Sequence, residues 1–189
     1  MIKIGILGDI GSGKSFVAKK FGYPVFNADN EVSKLYQKEK KIFTKLKKKL
    51  PKYIFSFPIK KKEISKAILA NNSNLKKIVK IVHPEIRRKM KFFIKKNKNK
   101  KLVILDIPLL LENKINNKRD VLIFVQAYKK DIIKRLQKRE NFNFKFLNKF
   151  KKIQLSLDYK KKKSRFIIKN NFTSRSIKRD VQYILKQIL

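Results

Sequence analysis

The chain has no cysteine and no tryptophan among its 189 residues, a single histidine, five glycines and five prolines. Without cysteine there is no disulfide framework, no thiolate zinc site and no cysteine nucleophile. One histidine argues against a histidine-built metal centre. No apolar run approaches the roughly 20 residues of a membrane span, and the apolar N-terminus has no signal-peptide pattern, so a cytoplasmic protein with no membrane partner is expected. Acidic residues are scarce as well: 13 Asp and Glu stand against 52 Lys and Arg, a formal net charge of +39. Only 8 of the basic residues are arginine, while Lys, Asn, Ile and Phe are abundant. That bias reads as drift toward A/T-rich codons spread over exposed helix faces. The lysines are dispersed over 38–49, 60–62, 95–101 and 160–163, with no aromatic-rich strand motif of the kind an RNA-recognition sheet requires. No specific nucleic-acid partner is expected, although the charge draws in polyanionic substrates. The apolar fraction of 42% suits one globular domain, or one core with insertions.

What is present is concentrated near the start. Residues Gly8 to Ser15 read Gly-Asp-Ile-Gly-Ser-Gly-Lys-Ser, between the apolar run Ile2–Leu7 and Phe16-Val17-Ala18. This is a complete G-x-x-x-x-G-K-[ST] phosphate loop in its strand-then-helix setting. The glycines let backbone N–H groups converge on phosphate oxygens at a helix N-terminus, where the helix dipole favours an anion. Lys14 reaches the β- and γ-phosphates, and Ser15 offers a hydroxyl to Mg²⁺. ATP and Mg²⁺ are therefore expected.

Along the chain, Ile2–Leu7 is a strand and Ser15–Phe21 a helix, followed by a turn at Gly22-Tyr23-Pro24. A short strand Val25-Phe26 leads to Asn27-Ala28-Asp29. From Asn30 to about Lys100 the apolar spacing is helical, with an interruption at His83-Pro84 and a new helix from Glu85. Leu102–Leu105, ending at Asp106, and Val121–Val125 are unalternating runs that suit a parallel sheet covered on both faces. Asp131–Arg139 and most of Phe144–Lys163 read as helix, Phe166–Ile168 as a last strand, and Ser174–Leu189 as a helix capped by Ser174. The order predicts an α/β fold: a parallel sheet flanked by helices, with an inserted helical region. Ligands of such sheets sit at the carboxyl ends of the strands, where Asn27, Asp29 and Asp106 fall.

The phosphate loop, Asn27-Ala28-Asp29, His83-Pro84, the run Asp106-Ile-Pro-Leu-Leu-Leu-Glu112, Arg135 and Arg139, Gln154, and Ile167-Ile168-Lys169-Asn170 occur in one order over nearly the whole chain. In these the chain resembles the dephospho-CoA kinase family. The resemblance implies a P-loop NTPase-type sheet with an inserted helical substrate domain and a lid. It implies transfer of the γ-phosphoryl of ATP to the 3′-hydroxyl of the ribose in dephospho-CoA. A monomer is expected, with a weak oligomer as the alternative. The core would be about 1–29, 102–139 and 165–189, the CoA-binding region about 30–101 and the lid about 140–164. It assigns Gly11, Ser12, Gly13, Lys14, Ser15, Phe16 and Asn170 to ATP, Ser15 and Asp106 to the metal, and Asp29, Lys61, His83 and Pro108 to the acceptor. The catalytic set would be Asp29, Lys14, Arg135 and Arg139. The chain departs from the family pattern at Asp9, usually glycine, at Asn27, usually aspartate, at Lys61, usually arginine, and at Ser164-Arg165, usually Ala-Asp.

Each candidate has a plainer role beside the functional one. Asp29 either accepts the proton of the acceptor hydroxyl or caps a helix from Asn30. Asp106 either holds Mg²⁺ or forms the turn before Pro108. Arg135 and Arg139, four apart on one helix face, either stabilise the transferring phosphoryl or form a solvated face. Asn170 reads the adenine edge or makes a turn. His83 contacts the CoA-side ribose or phosphate, or is structural, and Glu112 caps or pairs locally. Three other functions are compatible with parts of the sequence. Another nucleoside or nucleotide kinase would share the loop. A nucleic-acid-binding phosphate-loop protein would use the charge. A GTPase would read guanine with Asn117-Lys118-Arg119-Asp120, but that match precedes a strand instead of following one.

Overall fold

The computed structural model describes residues 1–138 and 142–189. In chain order the described elements are β1 (Ile2–Gly8), α1 (Lys14–Lys20), β2 (Val25–Asn27), α2 (Ala28–Lys38), α3 (Lys40–Lys49), α4 (Lys61–Ala70), α5 (Asn72–Lys96), β3 (Leu102–Asp106), β4 (Val121–Gln126), α6 (Lys129–Gln137), α7 (Phe144–Ile153), α8 (Leu157–Lys163), β5 (Phe166–Lys169) and α9 (Ser174–Ile188). They form two compact units: Met1–Asn27 with Asn97–Leu189, and Ala28–Lys96.

The first unit is built on a parallel sheet with strand order β2-β3-β1-β4-β5. Every residue of β3 is buried, as its unbroken apolar run requires of a strand covered on both faces. Alternate residues serve alternate faces. Ile4, Ile6, Leu102, Ile104, Ile123 and Val125 pack with Val17 and Ala18 of α1 and Ile177, Val181 and Ile184 of α9. Gly5, Leu105 and Leu122 point the other way, and a Cβ on Gly5 would lie 2.7 Å from Leu110 and 2.9 Å from Leu122. The helix α8 also packs on β1 and β4. In-register pairing brings Gly8 opposite Val125 and Asn27 opposite Asp106. The loop after β1 and the polar ends of β2 and β3 therefore belong to the carboxyl edge of the same sheet.

The second unit is helical. The 25-residue α5 packs against α2, α3 and α4 through the stripe Ile78, Val82 and Ile86. The expected break at His83-Pro84 does not occur, because Pro84 lies inside α5. An interior proline loses one backbone hydrogen bond and costs about 3 kcal/mol. Buried residues on both sides of Pro84, Val82 and Ile86, offset that cost by keeping the apolar stripe in phase. The helical reading of residues 30–100 also fails between α3 and α4. There Glu63, buried on the first turn of α4, accepts hydrogen bonds from the N–H groups of Phe55 and Ser56 and from the Ser56 hydroxyl. A carboxylate thus satisfies backbone donors that a helix would have used internally.

Two further boundaries move. Residues 144–163 form α7 and α8, separated at Gln154–Ser156, with Asn143 and Ser156 side chains capping the two N-termini. The N-cap of α9 is Thr173, not Ser174. The Thr173 hydroxyl is engaged with Asn171 and Ser176, a side-chain network that moves the helix start by one residue.

Candidate active site

The phosphate loop is held by contacts that the motif alone does not reveal. Gly8 ends β1 at φ +144°, and a Cβ there would lie 2.5 Å from the Val125 carbonyl oxygen. Lys14 turns back along the loop, donating from Nζ to the carbonyls of Asp9 at 2.7 Å and Gly8 at 3.2 Å. The ammonium is thereby fixed over the loop by backbone acceptors. Asp9, whose carboxylate would repel phosphates, is instead folded onto its own chain, where Oδ1 accepts from the Ile10 N–H at 2.7 Å. Gly13 is the N-cap of α1 in the left-handed conformation, φ 89° and ψ 24°. The first α1 amide with a helical partner in the usual direction is Val17, bonded to Gly13 O at 3.0 Å. The opening turn of a helix has no intrahelical acceptors for its N–H groups and favours an anion.

From the far edge of the sheet, Asn170 clamps this loop. It is 2% exposed. Its Nδ2 donates to Ser12 O at 2.7 Å, its Oδ1 accepts from Phe172 N at 2.8 Å, and its own N–H bonds Gln126 O. A Cβ on Gly13 would lie 2.2 Å from Asn170 Nδ2, so close an approach that glycine is required. Over the next ring along, Phe172, stacks the guanidinium of Arg135 at 4.2 Å.

At the other side of the loop Asn27 joins two oxygens. Its Nδ2 donates to Asp106 Oδ2 in a short hydrogen bond and to Ser15 Oγ at 3.3 Å. Asp106 is 3% exposed. A carboxylate and a hydroxyl brought onto one small donor are hard oxygen ligands of the type Mg²⁺ takes, alongside phosphate oxygens and water. These residues fit that ion. Among the described residues there is no cluster of three or more His, Asp or Glu that would suggest a metal cage of protein side chains alone.

A family model for dephospho-CoA kinase matches residues 2–176. The chain belongs to that family. It is a kinase that uses ATP to convert dephospho-CoA to coenzyme A. A dephospho-CoA kinase from Wolbachia pipientis wMel is 36% identical over 190 residues, covering 98% of this chain and 93% of the relative. One from Rickettsia typhi is 31% identical over 191 residues, covering 100% and 98%. Among solved structures, a Thermus thermophilus protein superposes with TM-score 0.78 at 25% identity, covering 100% of this chain and 98% of that one. The dephospho-CoA kinase from Campylobacter jejuni shares the fold, with TM-score 0.63 at 20% identity over 98% and 96% of the two chains.

In this dephospho-CoA kinase family member the remaining candidates fall as follows. Glu112 does not pair locally: it accepts from Lys160 Nζ at 2.7 Å and from Leu155 N at 3.0 Å. The turn after β3 is thus tied to the α7–α8 junction, because Lys160, 2% exposed, needs a counter-charge where it is buried. Nothing in the sequence spacing signals that pair. Phe172 and the clamping role of Asn170 were likewise not legible, since both depend on β5 lying beside β4. Pro108 is exposed in the turn after β3, and the Phe16 ring packs against the core beneath α1 with Lys20 Nζ 5.1 Å from its centroid. Asn117-Lys118-Arg119-Asp120 sits at the amino end of β4, where Asp120 pairs with Lys3 at 3.0 Å, away from the phosphate loop's edge of the sheet. In the helical unit Asp29 is exposed on the first turn of α2, which starts at Ala28 and so rules out Asp29 as its N-cap. Lys61 is exposed at the first residue of α4. His83 is half-buried on α5, and burial, followed by the positive charge of Arg87, holds its pKa below the usual 6.5. Arg139 lies outside the described residues.

Proposed function

We propose that the chain transfers the γ-phosphoryl group of ATP to the 3′-hydroxyl of the dephospho-CoA ribose, with the helical unit carrying the acceptor. The observation that carries this reading is the phosphate loop, with Lys14 Nζ fixed on the Gly8 and Asp9 carbonyls and Ser15 linked through Asn27 to Asp106. Phosphoryl transfer needs positioning and charge neutralisation more than covalent help. Lys14 neutralises the β- and γ-phosphates. Ser15 Oγ and Asp106 would hold Mg²⁺, whose chemistry here would be to offset the negative charge of the phosphates. Asp29, two residues along the chain from Asn27, orients the acceptor hydroxyl and takes its proton as the new O–P bond forms and ADP leaves.

Arg135 on Phe172 supplies a flat cationic platform suited to the adenine ring. A cleft of about 810 Å³ runs along the ends of β4 and β5 and α9, lined in part by Gln126, Tyr128, Asn170 and Asn171. Asn170 acts on ATP chiefly by holding the loop. Arg139 serves the transferring phosphoryl group, the lid is the part of about 140–164 ahead of α8, since α8 is packed on β1 and β4, and Lys61, His83 and Pro108 serve the acceptor side. The enzyme works as a cytoplasmic monomer without a specific nucleic-acid partner; among the described residues no helix is long and apolar enough to cross a membrane.

A coupled ADP-release assay with ATP and Mg²⁺ tests this, run with dephospho-CoA and with a panel of nucleosides and nucleoside monophosphates. Release that requires dephospho-CoA and yields coenzyme A is the expected result. Release only with another acceptor would keep the phosphate-loop chemistry and discard the substrate.

A further inference from the structure

We infer that Asn27 is a neutral latch on the Ser15–Asp106 pair, so that a divalent cation enters this site together with the nucleotide and not ahead of it. The inference rests on reading Ser15 and Asp106 as the cation's protein ligands. Asn27 and Asp106 are direct cross-strand partners at the carboxyl ends of β2 and β3, and Asp106 is 3% exposed. A carboxylate so placed must find a hydrogen-bond donor or a positive charge. The Asn27 amide supplies one donor to Asp106 Oδ2 and another to Ser15 Oγ at 3.3 Å.

An amide nitrogen carries two hydrogens, so both bonds form at once, and a carboxylate only accepts, so nitrogen and not carbonyl oxygen must face Asp106. The nitrogen therefore stands between the two oxygens that a cation would join. It satisfies them without adding charge. An incoming cation must displace it, give up two hydrogen bonds made by the protein and shed water, and Mg²⁺ dehydrates reluctantly. Against that cost the site offers one carboxylate. The triphosphate brings the rest of the negative charge, so the exchange becomes favourable when both arrive together. Aspartate at position 27 would reverse the situation. Two carboxylates facing each other across adjacent strands repel, and a cation would then be drawn in without nucleotide.

The experiment measures Mn²⁺ binding to the whole protein by electron paramagnetic resonance, with Mn²⁺ as the probe, first alone and then with a non-hydrolysable ATP analogue. Without nucleotide, Asn27→Asp is expected to bind Mn²⁺ at least about tenfold more tightly than the native chain, since ligand charge sets such affinities. Its melting temperature should rise on adding Mn²⁺ alone, whereas that of the native chain should not. Asn27→Ala, which removes the competitor without adding a ligand, is also expected to bind Mn²⁺ alone more tightly than the native chain. Weaker binding by Asn27→Ala would make Asn27 a ligand and overturn the latch, as would native binding equal to that of Asn27→Asp. Ser15→Ala and Asp106→Asn test the underlying site. Unchanged Mn²⁺ binding in both, with the analogue present, would overturn the cation site itself, independently of whether coenzyme A is formed.

Discussion

Lys14 and Gly13 show how much of the chemistry rests on single atoms. The Lys14 ammonium is set by two carbonyls of its own loop, so Lys14→Ala removes a charge already in position. Turnover is expected to fall by about two to three orders of magnitude, the usual effect of deleting one such group, while thermal unfolding stays close to that of the native chain. Asp29→Asn is expected to lower turnover by about 10²- to 10⁴-fold, the range for a general base, and near-native turnover in that variant would remove Asp29 as the base. At Gly13 the constraint is steric. Alanine there must tolerate φ 89° and place its Cβ 2.2 Å from Asn170 Nδ2. Gly13→Ala is expected to release Asn170 from Ser12 O and to abolish ATP binding in a fluorescent-nucleotide titration. The need for glycine at position 13 was legible in the motif. The reason it admits no Cβ was not, because Asn170 is 157 residues away in the chain and meets Gly13 only when β5 joins the sheet.

Among the elements, α8 and α5 each carry a polar group whose partner decides its effect. The α8 residue Lys160 is buried on Glu112, and breaking a buried ion pair by removing one partner costs about 3–5 kcal/mol. Glu112→Gln is expected to lower the urea midpoint accordingly. Lys160→Met in the same background should recover much of that loss, because neither charge then remains buried. On α5, His83 is held below pKa 6.5 by burial and by Arg87. The folded chain therefore favours the neutral ring, and its contribution to stability is complete above the unfolded value and is lost as pH falls toward the folded one. Urea unfolding between about pH 8 and pH 5 should show a shallower acid-side decline in His83→Gln than in the native chain. Spacing gave the helical character of α5 but not its continuity through Pro84. Propensity alone ends a helix there, and only the buried stripe from Ile78 to Ile86 outweighs it.

Taken whole, the molecule carries a formal charge of +39, which gives it a long-range attraction to polyanions. Binding to random duplex DNA is expected to be independent of sequence and to weaken roughly 10³-fold or more between about 50 and 200 mM salt; tight binding that survives the higher salt would argue for a true nucleic-acid site. The α/β class, the phosphate loop with Lys14 and Ser15, and the polar strand ends Asn27 and Asp106 were legible in the chain before any fold was known. Each of these is a local signal: an unbroken apolar run, a contiguous motif, or a polar residue where such a run stops. Tertiary structure alone decided that Asn27 bonds Asp106 and Ser15, that Asn170 clamps Ser12, that Arg135 stacks on Phe172, and that Glu112 meets Lys160. Those contacts depend on strand order and register and on helix docking, which a parallel sheet fixes through crossovers between residues far apart in the chain.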